Sequence, residues 1–318
     1  MRHDPLRLRP GAGGARHGLS RLRPSQSLRR RRVLPADFGR GQSGADHRRA
    51  GAAHRRSHPP HGALIVSRPV ALVTGAARGI GRAIALALAE AGYDIAVADR
   101  AEADPTATLD AIEAAGARGY FAGFDLADLA AHEAALAAIR DALGPVDLLV
   151  NNAGMGAVVR GDLLDLEPAN FDRIMDVNLR GTLFLTQRVV ASMLAAPAAH
   201  RRAVVTVTSI SASHASPERT DYCISKAALS MFVQNLALRL APTGIGVFEI
   251  RPGIIRSDMT AAVAEKYDRR IADGLVPAGR WGEGSDVASA VVALASGAFA
   301  FSTGAVIGVD GGLGLARL

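Results

Sequence analysis

The sequence predicts a doubly wound α/β fold: one domain on a parallel sheet of about seven strands. Three observations predict it. Short segments that are apolar throughout alternate with Ala/Leu-rich stretches of ten or more residues at helical spacing. A glycine-rich turn joins the first such segment to the first helix. Asp, Asn, Ser and Gly recur where the apolar segments end, the edge at which such sheets bind ligands. A strand without a polar face needs cover on both sides, which is the condition of a parallel sheet with helices above and below.

The elements follow in order. Val70–Val73 is a strand that runs into Thr74-Gly75-Ala76-Ala77-Arg78-Gly79-Ile80-Gly81, and Arg82–Ala91 carries helical spacing before Gly92 stops it. The alternation continues with strand Asp94–Ala98, helix Pro105–Ala115, strand Arg118–Gly123, helix Ala127–Leu143 and strand Val146–Val150. A long helix Pro168–Ala195, strand Ala203–Thr208, helix Tyr222–Leu240 and strand Gly246–Arg251 come next, then helix Ser285–Ser296 and strand Ala305–Val309. Between them, Asp258–Trp281, with Met259, Tyr267, Leu275, Val276 and Trp281 among charged residues, reads as a helical lid that closes over substrate.

Charge divides the chain unevenly. Residues 1–65 hold 15 Arg against 3 Asp, whereas residues 66–318 hold 22 bases and 27 acids, so the basic balance belongs to the N-terminal tail. A net-negative body argues against a nucleic-acid protein. The tail, with Arg29-Arg30-Arg31-Arg32 at its centre, has no periodic apolar pattern and is expected to be disordered; His54, His58 and His61 in it are read as solvated rather than metal-binding. It lacks the apolar run of an export signal, and the expectation is that translation begins near Val66, so that residues 1–65 are absent from the native protein. A single cysteine, Cys223, excludes a disulfide scaffold and fits a reducing, cytoplasmic compartment. No run of 18 apolar residues exists, so no membrane-crossing helix is expected.

The Gly-rich turn is a phosphate cradle: glycines allow a tight turn and close approach of the backbone, and the helix N-terminus attracts an anion. Asp99, 18 residues after Gly81 at the end of the second strand, can accept both ribose hydroxyls of an adenosine and repels a 2′-phosphate, which favours NAD(H). Arg78 and Arg100 pull the other way, toward NADP(H). Asp125-Leu126 and Asn151-Asn152-Ala153-Gly154 fall at further strand ends. The strongest signal is Tyr222-Cys223-Ile224-Ser225-Lys226, with Ser209 thirteen residues upstream. A spacing of four puts Tyr222 and Lys226 one turn apart on one helix face. A tyrosine, with an ordinary pKa of about 10, needs a nearby cation and a desolvated pocket to exchange protons near neutrality. Lys226 is one of only two lysines, with Lys266, in a chain that otherwise uses Arg.

With these residues the chain resembles the short-chain dehydrogenases/reductases, over Arg68 to Leu318, and within them the 3-oxoacyl-acyl-carrier-protein reductases. The resemblance implies a Rossmann-type fold and a nicotinamide-dependent oxidoreductase that interconverts a ketone and a secondary alcohol. It implies that Asn178, Ser209, Tyr222 and Lys226 are the catalytic set, Asn178 holding a water beside Lys226. It implies cofactor contacts from Thr74, Gly75, Arg78, Gly79, Ile80, Gly81, Asp99, Asp125, Leu126, Asn152, Ala153, Gly154, Tyr222, Lys226, Pro252, Gly253, Ile255 and Ser257, and no metal. Ser257 stands where threonine is usual, and Val309-Asp310-Gly311-Gly312 resembles the family's C-terminal signature. A 3-oxoacyl thioester is the implied substrate, with a sugar or polyol as the alternative and a dinucleotide-binding protein without catalysis as the rival from another class. His200-Arg201-Arg202 and Arg160 are candidates for a basic patch at the site mouth that meets an acyl carrier. Surplus apolar residues on two helices (Leu183, Phe184, Leu185, Val189, Val190; Leu229, Met231, Phe232, Leu236, Leu238) need a partner, and the resemblance implies a homotetramer.

Overall fold

The computed structural model describes residues 67–316 apart from Ala262, so the Arg-rich tail, its histidines and the expected start near Val66 lie outside the described residues. The seven strands are β1 (Val70–Thr74), β2 (Asp94–Asp99), β3 (Gly119–Gly123), β4 (Val146–Asn151), β5 (Ala203–Val207), β6 (Gly246–Pro252) and β7 (Val306–Val309). They form one sheet in the order β3-β2-β1-β4-β5-β6-β7, and every pairing is parallel.

The apolar-throughout strands are explained by two cores. Ala71, Val73, Ile95, Val97, Val150, Val205 and Ile250 point to one face, where Ile84 and Leu88 of helix α1 (Gly79–Glu90) and Val287, Val291 and Leu294 of α9 (Gly284–Ala295) cover them. Their neighbours Val70, Leu72, Ala96, Leu149, Val204 and Val247 point to the other. There they meet Ile139 of α3 (Ala131–Leu143), Leu185 and Val189 of α5 (Thr182–Ala195) and Val233 and Ala237 of α6 (Thr220–Leu240). The remaining helices are α2 (Thr106–Ala114), α4 (Pro168–Met175), α7 (Asp258–Ala261) and α8 (Ala264–Ala272). The strand order reverses between β1 and β4, which opens a crevice beyond their carboxyl ends.

Four expectations are corrected. The helix expected over Pro168–Ala195 is helical throughout, but a π turn over Asp176–Gly181 divides it into α4 and α5. A π turn adds a residue per loop without changing composition, so apolar spacing does not reveal it. Helix α3 starts at Ala131 rather than Ala127, because the Asp125 and Asp128 side chains accept the Ala127 and Ala130 amides at 2.9 and 3.0 Å and form turns there. The expected lid segment holds two short helices, α7 and α8, and Trp281 and Val276 do not line the cleft. They pack with Ile271 in a small core of the lid itself, where the Trp281 Nε1–H donates to Asp268 at 2.6 Å. Tyr267 and Leu275 do face the crevice, and the side chain of Met259 lies outside the described residues.

The basic patch is the fourth. Arg202 is buried just before β5, its guanidinium capping the carbonyls of Met193, Ala196 and Pro197 at the end of α5. With His200 and Arg201 it therefore stands at the amino edge of the parallel sheet, opposite the crevice. Arg160 alone of these stands near the crevice, in an adjoining hollow with Arg173 and Val263.

Candidate active site

At the carboxyl edge the loops after β1, β2, β3, β4, β5 and β6 wall a cleft of about 1200 Å³. Its floor begins at the turn after β1. Gly75 (φ 66°) and Gly79 (φ 58°) take left-handed conformations that side chains resist. Gly81 has ordinary dihedrals, but a β-carbon there would sit 2.0 Å from the Gly75 carbonyl oxygen. The turn is held from beneath by β4: the Asn152 side-chain amide donates to the carbonyls of Thr74 (2.9 Å) and Gly75 (3.2 Å). The Thr74 hydroxyl accepts the Asn152 and Ala153 amides at 3.1 and 3.0 Å. Asn151 faces away: its amide donates to Thr186 and Thr206 inside the core.

A nicotinamide dinucleotide fits this architecture. Helix α1 has no side-chain cap at its start, so its first amides open into the cleft where a diphosphate would be held. Asp99 lies at the rim, its carboxylate accepting the amides of Ala77 (3.0 Å) and Arg100 (2.9 Å). Arg78 and Arg100 also line the cleft, Arg78 facing Asp258 of α7 at 3.5 Å. Asp125, Leu126, Ala153, Gly154, Pro252, Gly253, Ile255 and Ser257 complete the wall, with Ile80 beside Gly79. Gly253 is glycine because a β-carbon would lie 2.8 Å from the Asp310 backbone; the C-terminal Val309-Asp310-Gly311-Gly312 segment thus packs directly on the cleft wall.

The acid/base candidates meet on the opposite wall. Ser209 follows β5 with extended backbone, and its hydroxyl accepts the Ser211 amide at 3.1 Å. It lies close enough to the Tyr222 hydroxyl to lower that group's pKa. Lys226, one turn along α6, is buried, its Nζ 5.7 Å from the Tyr222 ring centroid and donating to the Val207 carbonyl at 3.4 Å. The π turn aims Asn178 inward, where its amide group accepts from the Met155 N–H (2.8 Å) and donates to the Met155 carbonyl (3.0 Å) and Ser225 hydroxyl (3.1 Å). Gly154 lies between: a β-carbon there would be 3.2 Å from Asn178 Oδ1 and 3.3 Å from Lys226 Nζ.

The electrostatics differ from the sequence argument in one respect. Lys226 was expected to draw the Tyr222 pKa down; instead burial raises it above the ordinary value of 10.0, against the Ser209 hydrogen bond and the Arg219 charge, which lower it. Lys226 is desolvated too, and burial brings its own pKa down from 10.5 to about 8 despite the opposing charge of Glu249. Arg219, its guanidinium carbon 5.4 Å from the Tyr222 ring centroid, escaped the sequence reading, since nothing marks an arginine three residues before a Tyr-x3-Lys segment. Glu249 was missed as well. There a signal existed: a carboxylate in mid-strand, where both faces were expected to be apolar.

The profile of the short chain dehydrogenases matches residues 69–268. The 3-oxoacyl-[acyl-carrier-protein] reductase of Escherichia coli (strain K12) is 36% identical over 245 residues, 77% of this chain and 96% of that protein. Among solved structures, a 3-oxoacyl-[acyl-carrier protein] reductase from Brucella melitensis in complex with NAD is 58% identical, with a TM-score of 0.77 over 79% of this chain and 99% of its own. A gluconate 5-dehydrogenase from Burkholderia cenocepacia J2315 in complex with NADP and tartrate is 32% identical, with a TM-score of 0.73 over 79% and 97%. Sequence, sheet order and site geometry agree: the chain belongs to the short-chain dehydrogenase family, the NAD(P)-dependent oxidoreductases.

Proposed function

We propose that this chain reduces the ketone of a 3-oxoacyl thioester presented by an acyl carrier, and that NAD(H) is its preferred cofactor. The observation that carries the chemistry is the buried Tyr222, beside Ser209 and one turn from the buried Lys226 on the wall of the cleft. The substrate class is supported by the kinship with the Escherichia coli and Brucella melitensis reductases, and NAD(H) by Asp99 and by the NAD held in the Brucella complex.

When bound, the nicotinamide supplies or accepts the hydride. Tyr222, kept protonated by its burial, donates its proton to the substrate oxygen, and the Ser209 hydroxyl donates a hydrogen bond to the same atom. Lys226 brings positive charge beneath the tyrosine and binds the nicotinamide ribose. Asn178 fixes the Met155 peptide and supports the water link from Lys226 to solvent. Asn152 holds the Gly-rich turn open; Asp99 accepts the adenosine ribose hydroxyls and Asp125 the adenine. The working unit is residues 66–318, acting in the cytoplasm.

A homotetramer built on α5 and α6 belongs to the same proposal. Their inner residues Leu185, Val189 and Leu229 are buried, but Met231 and Leu238 stand 57% and 78% exposed on the outer side. Sedimentation at micromolar concentration is expected to give a tetramer, and a monomer would contradict it.

The substrate test is a panel assay with NADH and NADPH on acetoacetyl thioesters, sugars and polyols. Reduction of the thioesters, fastest with NADH, is expected. Inert thioesters with oxidation of a polyol would overturn the substrate class while leaving the roles of Ser209, Tyr222 and Lys226 intact, and a tenfold preference for NADPH would overturn the cofactor.

A further inference from the structure

Along β6, Phe248 and Ile250 point into the core under α9, while Val247, Glu249 and Arg251 alternate onto the face covered by α6. Glu249 is fully buried there, in a place where an uncompensated carboxylate would be costly. Its compensation is specific. Oε1 accepts from the Thr208 hydroxyl at 2.7 Å and from Arg251 Nε at 2.6 Å; Oε2 accepts from the Ser230 hydroxyl at 2.8 Å. The Arg251 guanidinium also donates to Ser230 at 2.8 Å.

Each of these partners adjoins the acid/base set. Thr208 immediately precedes Ser209. Ser230 lies one helical turn beyond Lys226 on α6, and Lys226 itself donates to the carbonyl of Val207, the residue before Thr208. The titratable and charged groups that act on Lys226 or adjoin it are Tyr222 on its own helix, with Arg219 beyond the ring, and Glu249 from β6, which is itself ion-paired to Arg251 at 2.6 Å. Asn178 and Gly154 face it without charge.

We propose that Glu249, ion-paired to Arg251 and hydrogen-bonded to Ser230 one turn beyond Lys226, is the buried negative charge that sustains the charge of Lys226 and, through Thr208, a positioning residue for Ser209. A lysine buried among β-strands loses its proton unless a negative charge accompanies it. Glu249 supplies that charge from behind the cleft, where neither substrate nor cofactor displaces it. Arg251 tempers it and holds the carboxylate in register with Ser230. The charge balance matters because the Lys226 pKa of about 8 is near neutrality, so a modest change in its surroundings switches its protonation in the working range. The consequence for turnover rests on the roles proposed above for Ser209 and Lys226; the charge coupling does not.

The chain's two lysines make the test direct. Protein labelled with 13C at lysine Cε gives two side-chain signals, and Lys266, with 54% of its side chain exposed, is the internal reference. Titration of the cofactor-free protein is expected to show the Lys226 midpoint shifted down by about one unit in Glu249→Gln. Arg251→Gln, which keeps the carboxylate and removes the competing positive charge, shifts it upward. A network that served packing alone would move neither midpoint. Unmoved midpoints, or shifts of the same sign in both variants, overturn the proposal. If Glu249→Gln does not fold, Arg251→Gln decides alone: an upward shift supports the coupling, and no shift or a downward one overturns it. The pH profile of kcat/KM is measured alongside. A kinetic limb that fails to follow a shifted midpoint leaves the charge coupling in place and refutes the assignment of Lys226 to turnover.

Discussion

Replacing Tyr222 by phenylalanine removes one oxygen and leaves the ring in place. The ring is 9% exposed, with the Arg219 guanidinium and Lys226 ammonium 5.4 and 5.7 Å from its centroid, and phenylalanine keeps those contacts. Loss of one hydroxyl contact costs the folded chain at most about 1 kcal/mol, which lowers the melting temperature by no more than about 2–4 °C for a domain of this size. Turnover loses much more. Because burial holds the hydroxyl above its usual pKa, Tyr222 carries its proton throughout the assay range and is the acid available at the substrate oxygen. Removing a positioned acid costs about 10²–10⁴-fold, or roughly 3–5 kcal/mol on the barrier. Dinucleotide affinity, set by the Gly-rich turn and Asp99, is expected to change by less than the roughly tenfold that one neutral hydrogen bond is worth. Steady-state turnover followed by cofactor absorbance, with calorimetric binding and a thermal melt of the same preparation, separates the three quantities. Turnover within about tenfold of wild type, in a variant that melts and binds normally, would refute the argument.

Two further perturbations address the cofactor side. In Gly81→Ala the new methyl falls 2.0 Å from the Gly75 oxygen and 2.6 Å from the Asn152 amide, which is itself bound to the turn; the cradle must open, and dinucleotide affinity measured by calorimetry is expected to fall at least about 100-fold, wild-type affinity being the contrary result. Asp99→Ala removes the charge that repels a 2′-phosphate while Arg78 and Arg100 remain, so the ratio of kcat/KM for NADPH over NADH is expected to rise by about tenfold or more; an unchanged ratio would show that Asp99 does not discriminate.

The fold was legible because its two cores impose themselves on composition. A run such as Val70–Val73, whose residues alternate between the two cores, has no polar position to offer, and that absence is visible in sequence. The turn glycines were legible for the same kind of local reason: Gly75 and Gly79 need positive φ, and Gly81 has no room for a side chain. Tyr222 and Lys226 were legible because their spacing fixes their relation within one helix. What lay outside the sequence reading are relations between segments far apart in the chain. The π turn that aims Asn178 at Met155, the burial of Arg202 at the edge away from the cleft and the withdrawal of Trp281 into the lid's own core each depend on which element packs beside which. The electrostatics are the clearest case. Spacing put the Lys226 charge beside Tyr222, but desolvation, which only tertiary packing sets, raises the pKa of the tyrosine and lowers that of the lysine. The partner that restrains the fall of the lysine, Glu249, comes from a strand 23 residues further along. Backbone conformation and helix periodicity are local and can be read along a chain, whereas desolvation and charge proximity belong to neighbours that the chain brings together only by folding.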